Sequence, residues 1–161
     1  MRDVRTLVAV ACLTMAPVAP FAAGTEPVPI AERAKGAERV VLARVTAVEA
    51  TRETNEFGDS LIVSHVQLQV EESLKGNHES SVTVDVLGGT VGDLTLEVSS
   101  LPRMTKGERA VFFLTRNPRS GRYEPHLRGQ GILKLDESDK VRGSSLDLPT
   151  IREITRGAAG K

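Results

Sequence analysis

The feature that most constrains the fold of this chain is the alternation of side chains along residues 62–71. Even-numbered positions in this stretch are mainly Ile, Val and Leu, whereas odd-numbered positions are mainly His, Gln and Glu. Successive side chains of a β-strand point to opposite faces, so this period predicts a half-buried antiparallel strand. We expect a long strand here, ending at the turn around Gly76.

Further strand patterns occur on both sides of this segment, with turn chemistry between them. Residues 40–48 begin as an unbroken apolar run, which indicates a strand covered on both faces at its start. Residues 110–114 are short, apolar and aromatic, as expected of a central strand. The other candidates are residues 81–86, 95–98, 122–124 and 131–136. Residues 51–60 carry charges, Asn and Gly, and are predicted to form a solvated hairpin loop.

These elements predict an all-β fold of about six or seven strands, arranged as a small closed or partly open β-barrel of the OB type. A barrel is favoured over a sandwich because bulges and glycines let strands bend around corners. The glycines predicted to serve turns or bends are Gly76, Gly88, Gly89, Gly107, Gly129 and Gly131. The run at residues 88–93 matches no phosphate-binding fingerprint, so a bend or bulge is favoured over an anion site.

The N-terminal segment has the pattern of an export signal. Arg2 and Arg5 precede an apolar run at residues 6–15, and residues 22–24 form a small-residue cleavage site. We expect this segment to be removed and the protein to be exported, to the periplasm or the extracellular medium. The only cysteine of the chain, Cys12, lies within it. A lipidated Cys12 is disfavoured because the apolar run before it is short, so the mature chain is expected to lack thiol chemistry.

One domain is expected after the signal peptide, residues 1–24. Residues 25–37 are predicted to be a linker with a short helix, residues 38–136 the barrel, and residues 137–161 a tail with a possible helix at 150–156. The chain has 21 basic and 21 acidic residues. This balance provides no basic face for nucleic acid or an anionic membrane. No apolar run after the signal approaches the roughly 20 residues that a membrane span requires.

Several motifs, in their order along the chain, resemble a group of uncharacterised exported bacterial proteins. The motifs are residues 39–45, 74–76, 86–92, 107–114 and 129–131. Those proteins are similar to the OB-fold barrel of tissue inhibitors of metalloproteinases and netrin-like modules, which implies the same barrel here. The inhibitors act through a disulfide-bonded N-terminal cysteine that chelates the zinc of the target. The mature chain has no cysteine, so the resemblance implies a fold and no inhibitory residue.

The three histidines do not suggest a metal or catalytic site. His65, His78 and His126 lack the short spacings that a preformed metal site favours, so we interpret them as unrelated surface residues. Ser64 and His65 are neighbours on a strand and point to opposite faces, which prevents a hydrogen bond between their side chains. Pairing His65 with Ser60 or Ser73 leaves the acid and the oxyanion hole unassigned, and the chain has no nucleophile-elbow motif.

The carboxylates are numerous but scattered. Two pairs, residues 71–72 and Glu137 with Asp139, lie in polar stretches beside turns, where solvated charge is the ordinary outcome. The acidic run at residues 136–139 lacks the complete ligand loop of a calcium site. We therefore predict no metal and no cofactor.

These observations favour a non-enzymatic exported module that binds or scaffolds another protein, such as an exported peptidase or an envelope component. The candidate contact residues are Phe57 in the hairpin loop, Arg103 in segment 91–104, and Tyr123 as a second exposed aromatic residue near a turn. The alternative is an exported hydrolase or small-ligand carrier whose site forms only in three dimensions. A serine, His65 and an acid converging in a pocket indicate the hydrolase, whereas a packed barrel interior excludes the carrier.

Overall fold

The computed structural model describes residues 26–55 and 57–159. The expected export signal and Cys12 lie outside the described residues. The strands are β1 (Arg39–Thr54), β2 (Ser60–Lys75), β3 (Ser81–Leu87), β4 (Gly89–Val91), β5 (Leu94–Leu96), β6 (Arg109–Arg116), β7 (Tyr123–Pro125) and β8 (Ile132–Lys134). The α-helices are α1 (Ile30–Gly36) and α2 (Leu148–Ala159), and a 3-10 turn spans Arg128–Gly131. Neither helix in this part of the chain has the length and apolar character needed to cross a membrane.

Five of the strands pair in a ring, in the order β1, β2, β3, β7, β6 and back to β1. Four of these pairings are antiparallel, while β3 and β7 are parallel and meet at one residue pair, Val84 and Tyr123. This single pair closes the ring only weakly. The prediction of an all-β fold with a small, partly open barrel and short terminal helices is confirmed. β8 continues the sheet beyond β6, and the short strands β4 and β5 form a separate pair.

The hairpin of β1 and β2 is much longer than the sequence predicted. The expected loop at residues 51–60 is wrong in extent, because β1 stays paired as far as Thr54 and its partner in β2 is Ser60, so that only the chain between these two residues is outside the strands. The outer end of this hairpin is largely exposed or only partly buried. One face of this ribbon is exposed, and the half-buried face carries the polar residues Thr51 and Glu53, so the sequence has no apolar period and resembles that of a loop.

The first half of β1 separates two hydrophobic cores. Val41, Ala43 and Val45 are buried inside the ring, where they pack with residues of β2, β3 and β6. Val40 and Leu42 point the other way and pack under the helices. The sequence prediction of a strand covered on both faces at its start is therefore confirmed. Register shifts at three points of the β1–β2 pairing let β1 bend as it passes between the two cores.

The two helices cover the outside of the ring and pack on each other. α2 buries Leu148 and Ile151 completely, and it extends at both ends beyond the predicted residues 150–156. α1 is fixed at its C-terminus by Lys75, whose Nζ donates to the carbonyl oxygens of Ala34, Lys35 and Ala37 at 2.8, 3.1 and 2.6 Å. These bonds satisfy carbonyl groups that have no partner within the helix.

The predicted turn glycines fall into two groups. Four of them, Gly76, Gly88, Gly89 and Gly107, have a positive φ, which disfavours any residue with a Cβ atom. The other two, Gly129 and Gly131, lie in the 3-10 turn and are required for close packing instead. A Cβ atom there would lie 1.6 Å from the carbonyl oxygen of Ser100 or 2.2 Å from that of His126, respectively.

Gly89 is expected to tolerate substitution poorly. Its φ is +139°, and a Cβ atom would lie 2.5 Å from Ser64 Oγ and 3.0 Å from Ala50 Cβ. Gly89→Ala should therefore lower the free energy of unfolding by about 2–4 kcal/mol, through backbone strain together with overpacking. Urea denaturation followed by far-UV circular dichroism measures this change.

Gly92→Ala is the matched control, because Gly92 also has a positive φ, +57°, but no atom lies within 4 Å of the position that an added Cβ would occupy. This variant should lose only about 1 kcal/mol, the usual strain of a left-handed residue. Equal losses in the two variants would show that close packing at Gly89 does not contribute.

Candidate functional site

A cavity of about 440 Å³ opens at one end of the ring. At this end β1 is no longer paired with β6, since that pairing ends at Arg44 of β1. The pairing of β2 with β3 ends at Val63 of β2. We call this space the mouth cavity. It is lined by Val48, Ala50, Ser64, Val66, residues 86–90 and residues 96–99 and 101–104. Most of these side chains are apolar or small.

One wall of the mouth cavity consists of small residues on β1 and β2 and of the glycine pair after β3. Ala50 and Ser64 are cross-strand partners, and the Ser64 hydroxyl donates to the carbonyl oxygen of Gly88 at 2.6 Å. Gly88 and Gly89 have no side chains to fill the space in front of this wall. The sequence predicted the bend at the glycines but gave no sign of the cavity, because the lining residues come from separate segments.

The opposite wall is formed by the segment at residues 96–104, which is fixed at its C-terminal end. Met104 is buried in the inner core. The Lys134 Nζ donates to the carbonyl oxygen of Arg103 and to both carboxylate oxygens of Glu108, which each lie 2.9 Å from Nζ. Glu108 also accepts a hydrogen bond from the backbone N–H of Thr105 at 2.8 Å. These contacts hold the wall in place without a bound ligand.

The electrostatics of Glu108 reflect this anchoring role. Burial raises the pKa of its carboxyl group, but hydrogen bonds from Lys134 and Thr105 and the charge of Lys134 outweigh burial. The pKa of Glu108 is therefore held below its ordinary value. The ionised carboxylate is the form that the anchor requires.

Arg103, predicted as a contact residue, lies at the rim of the mouth cavity. Its guanidinium is largely exposed and makes a long ion pair of 3.7 Å with Glu97, which is also exposed. Such a pair contributes little to stability. Arg103 can therefore exchange this partner for an acidic group on a ligand at small cost.

Phe57, the second predicted contact residue, lies at the tip of the β1–β2 hairpin and is 81% exposed. The turn beneath it is well defined. The Asn55 Oδ1 accepts hydrogen bonds from the backbone N–H groups of Phe57 and Asp59 at 2.9 and 2.8 Å, and the Asn55 Nδ2 donates to Asp59 Oδ2 at 2.9 Å. Phe57 does not line the mouth cavity of its own molecule.

Tyr123, the third, is not an exposed aromatic residue, and that expectation is wrong. Only 8% of it is accessible, since it belongs to β7, the strand that closes the ring. Arg116 lies 4.4 Å from the ring centroid and donates to the hydroxyl at 2.7 Å, while the buried Arg39 lies 5.4 Å from the centroid. A three-residue strand next to a turn is too short to show a burial period, so the sequence could not predict this role.

His65 belongs to a polar network rather than being an isolated surface residue. Its Nδ1 lies 2.7 Å from Asp85 Oδ1, and its Nε2 lies 2.9 Å from Thr51 Oγ1 and 3.2 Å from Glu53 Oε1. Arg122 contacts Asp85 Oδ2 at 3.0 Å and Glu53 Oε2 at 3.1 Å. These groups come from β1, β2, β3 and the turn after β6, and sequence spacing gives no sign that they meet.

The network and the mouth cavity lie on opposite faces of β2. Ser64 and Val66 line the cavity, whereas His65 between them points to the other side. This arrangement follows from the alternation of side chains along a strand. The hydroxyl group that faces His65 is that of Thr51, and it lies outside the cavity.

The remaining candidate residues take part in structural contacts. Glu71 pairs with Arg44 and Arg109, and Glu72 pairs with Arg152 and Arg156 of α2. Asp139 pairs with Arg109. Among the residues that the structure describes, no group of three or more His, Cys, Asp or Glu has the geometry to hold a metal ion.

His78 and His126 lie apart from the mouth cavity. His78 is exposed between β2 and β3. His126 lies against Gly36 of α1, and burial, together with the charge of Lys75, lowers the pKa of its imidazole.

A scan against protein-family models and a search of the curated proteins both return no match for this chain. Its site is therefore interpreted from geometry and chemistry.

Glu108→Gln is expected to weaken the anchor of the cavity wall. At pH 7 the variant should lose about 1–2 kcal/mol of unfolding free energy, because the charge-assisted hydrogen bonds from Lys134 become neutral ones. The folded pKa of Glu108 is depressed, so its contribution is complete above the unfolded value of about 4.3 and is lost as the pH falls through the folded value. Urea denaturation at pH 7 and pH 3 measures both effects.

The difference between the wild type and Glu108→Gln should therefore shrink at pH 3. Glu137→Gln is the control, since Glu137 is exposed in the turn after β8. We expect the control to match the wild type within about 0.5 kcal/mol at pH 7. A Glu108→Gln difference that stays constant from pH 7 to pH 3 contradicts an electrostatic anchor.

Proposed function

We propose that the protein is an exported, non-enzymatic module that binds another exported protein through the mouth cavity. The observation that carries this proposal is the cavity itself, a preformed space at the open end of the ring that is lined by both apolar and polar groups, with Arg103 at its rim. Protein interfaces are commonly centred on an apolar or aromatic side chain that fills such a pocket. An apolar side chain of the partner, with an acidic neighbour for Arg103, fits this site.

The rigidity of the two walls supports binding. One wall is a paired β-hairpin, and the other is fixed by Lys134 and Glu108. A site that is already formed loses little conformational entropy when it is occupied. Its volume of about 440 Å³ exceeds that of one aromatic side chain, so a short segment of a partner can enter.

The placement of the polar groups supports a role without catalysis. His65 and Asp85 face away from the cavity, and the Ser64 hydroxyl within it is engaged with the carbonyl oxygen of Gly88. A nucleophile needs a base within hydrogen-bond reach. The described residues that line the cavity include Glu97 at the rim and no histidine.

A small-ligand carrier is the second candidate, because the same cavity favours it. Ligand pockets of proteins usually have volumes of about 300–1,000 Å³ and apolar walls, and the mouths of β-barrels are among their common positions. In this case the physiological occupant is a small apolar molecule with an anionic group instead of a protein segment.

Val48→Trp is expected to block the site. Val48 lines the cavity and is 37% exposed, so a larger side chain can be placed there without disturbing the closed part of the core. Affinity capture from an envelope extract or culture medium of the source organism should recover a specific partner with the wild type. We expect at least a roughly 10-fold lower recovery with Val48→Trp.

Gln67→Trp is the matched control, because it adds the same ring to the exposed outer face of β2. It should recover the partner at the wild-type level. A partner that binds Val48→Trp as well as the wild type contradicts the proposal that the mouth cavity is the contact site.

The carrier is tested with the same variants and a defined anionic naphthylamine probe, 8-anilinonaphthalene-1-sulfonate. The carrier is favoured if the wild type binds the probe with micromolar affinity, Val48→Trp abolishes this binding, and the capture experiment recovers no partner. A captured partner that displaces the probe favours the protein-binding module.

A further inference from the structure

The outer part of the β1–β2 hairpin, residues 51–61, projects beyond the ring, and we call it the arm. Its two strands pair only with each other, since β6 pairs with β1 as far as Arg44 and β3 pairs with β2 only from Val63. The cross-strand pairing is continuous from Thr51 to Thr54. The arm is therefore a defined ribbon that ends at Phe57.

The tip of the arm combines an apolar ring with a carboxylate. Phe57 is the most exposed large apolar side chain among the described residues. Asp59 is exposed two residues later, and Asn55 holds both residues in one turn. The apolar area of Phe57 is unburied in the monomer, so covering it with another surface would contribute favourable free energy to association.

The arm cannot place Phe57 in the mouth cavity of its own molecule. The cavity begins at Ala50, and the paired strands carry the chain about 14 Å further before the turn starts at Asn55. The tip is thus held well away from the cavity beside it. A second molecule related by a two-fold axis has no such restriction, because two arms can cross and each tip can reach the cavity of the other molecule.

We propose that the occupant of the mouth cavity is the arm of a second copy of this chain, in a reciprocal dimer. This inference rests on the proposed function, and it identifies the exported protein that the mouth cavity binds as a second copy of the chain, which the capture experiment should then recover. Phe57 of each copy enters the mouth cavity of the other and packs against its apolar side chains. Asp59 of the incoming arm lies beside Arg103, which exchanges its long, exposed pair with Glu97 for this carboxylate.

The charges of the two surfaces complement each other. The incoming tip offers the carboxylate of Asp59, and the rim offers the exposed guanidinium of Arg103. A two-fold arrangement makes each of these contacts twice, so small contributions are doubled. The contact area remains modest, and the dimer is therefore a weak one that depends on protein concentration.

Sedimentation equilibrium of the full chain carrying Cys12→Ser tests the dimer. The wild-type arm should give a concentration-dependent monomer–dimer equilibrium. Phe57→Ser should raise the dissociation constant of the dimer about 100-fold, because each of the two buried Phe57 rings contributes a factor of roughly 10. Val48→Trp should weaken it as well, by filling the cavity.

Leu127→Ser is the control for these variants, since Leu127 is 42% exposed and is not one of the residues that line the mouth cavity. It should dimerise like the wild type.

Asp59→Arg should weaken dimerisation, and Asp59→Arg combined with Arg103→Asp should restore part of it through the exchanged charges. The proposal is overturned if Phe57→Ser dimerises like the wild type and the double variant Asp59→Arg with Arg103→Asp dimerises no better than Asp59→Arg alone.

Cysteine cross-linking tests the geometry directly. Ser60→Cys, which keeps Phe57 and Asp59, and Ser99→Cys are placed in separate molecules of the Cys12→Ser chain, mixed and mildly oxidised. Ser99 lines the mouth cavity, so a mixed disulfide should form. Ser138→Cys, at an exposed turn outside the cavity lining, is the matched partner that should cross-link at least about 10-fold more slowly, since its sulfur is held out of reach.

The outcomes separate this inference from the proposed function. A chain that stays monomeric at all concentrations, but whose capture of another protein is blocked by Val48→Trp, overturns the dimer and supports the cavity as a binding site. A monomer whose cavity neither captures a partner nor binds the naphthylamine probe overturns both.

Discussion

The double-sided burial of β1 is the constraint on which the rest of this structure depends. In its first half the strand pairs with both β2 and β6 while its side chains enter two different cores. A strand in this position has no free face, so substitutions that change its volume disturb the ring and the helices together. The register shifts let the same strand leave β6 and continue into the arm. The closed ring, the helical cover and the open mouth therefore follow from the path of one strand.

The mouth cavity is a consequence of side-chain size along that path. Deep in the ring, Leu68, Phe112 and Leu114 fill the interior completely. Towards the mouth the inward positions become Ala50, Ser64 and the glycine pair, which are too small to meet across the ring. The cavity opens at the end of the ring and is therefore a surface pocket rather than an interior void. Here the anchor of Lys134 and Glu108 keeps the opposite wall from collapsing onto it.

The sequence predicts those parts of the fold in which burial has a period. Alternation predicts β2, an apolar run predicts β6, and both helices are expected near their observed positions. The sequence of the arm resembles that of a loop because its half-buried face carries polar residues, Thr51 and Glu53, so it has no apolar period. The exposure expected for Tyr123 is wrong because three residues of β7 carry too little pattern. The cavity and the network around His65 join segments distant along the chain, and only the three-dimensional pairing reveals them.

The three hydrogen bonds of Lys75 also determine which end of β1 carries the helices. They hold α1 at the start of β1, whereas the arm continues from the other end of this 16-residue strand. The contour of β1 is about 50 Å, and its register shifts bend it, so the helix anchor and the tip that carries Phe57 belong to opposite ends of one curved strand. A substitution at the tip can therefore change what the arm binds without disturbing the helical cover.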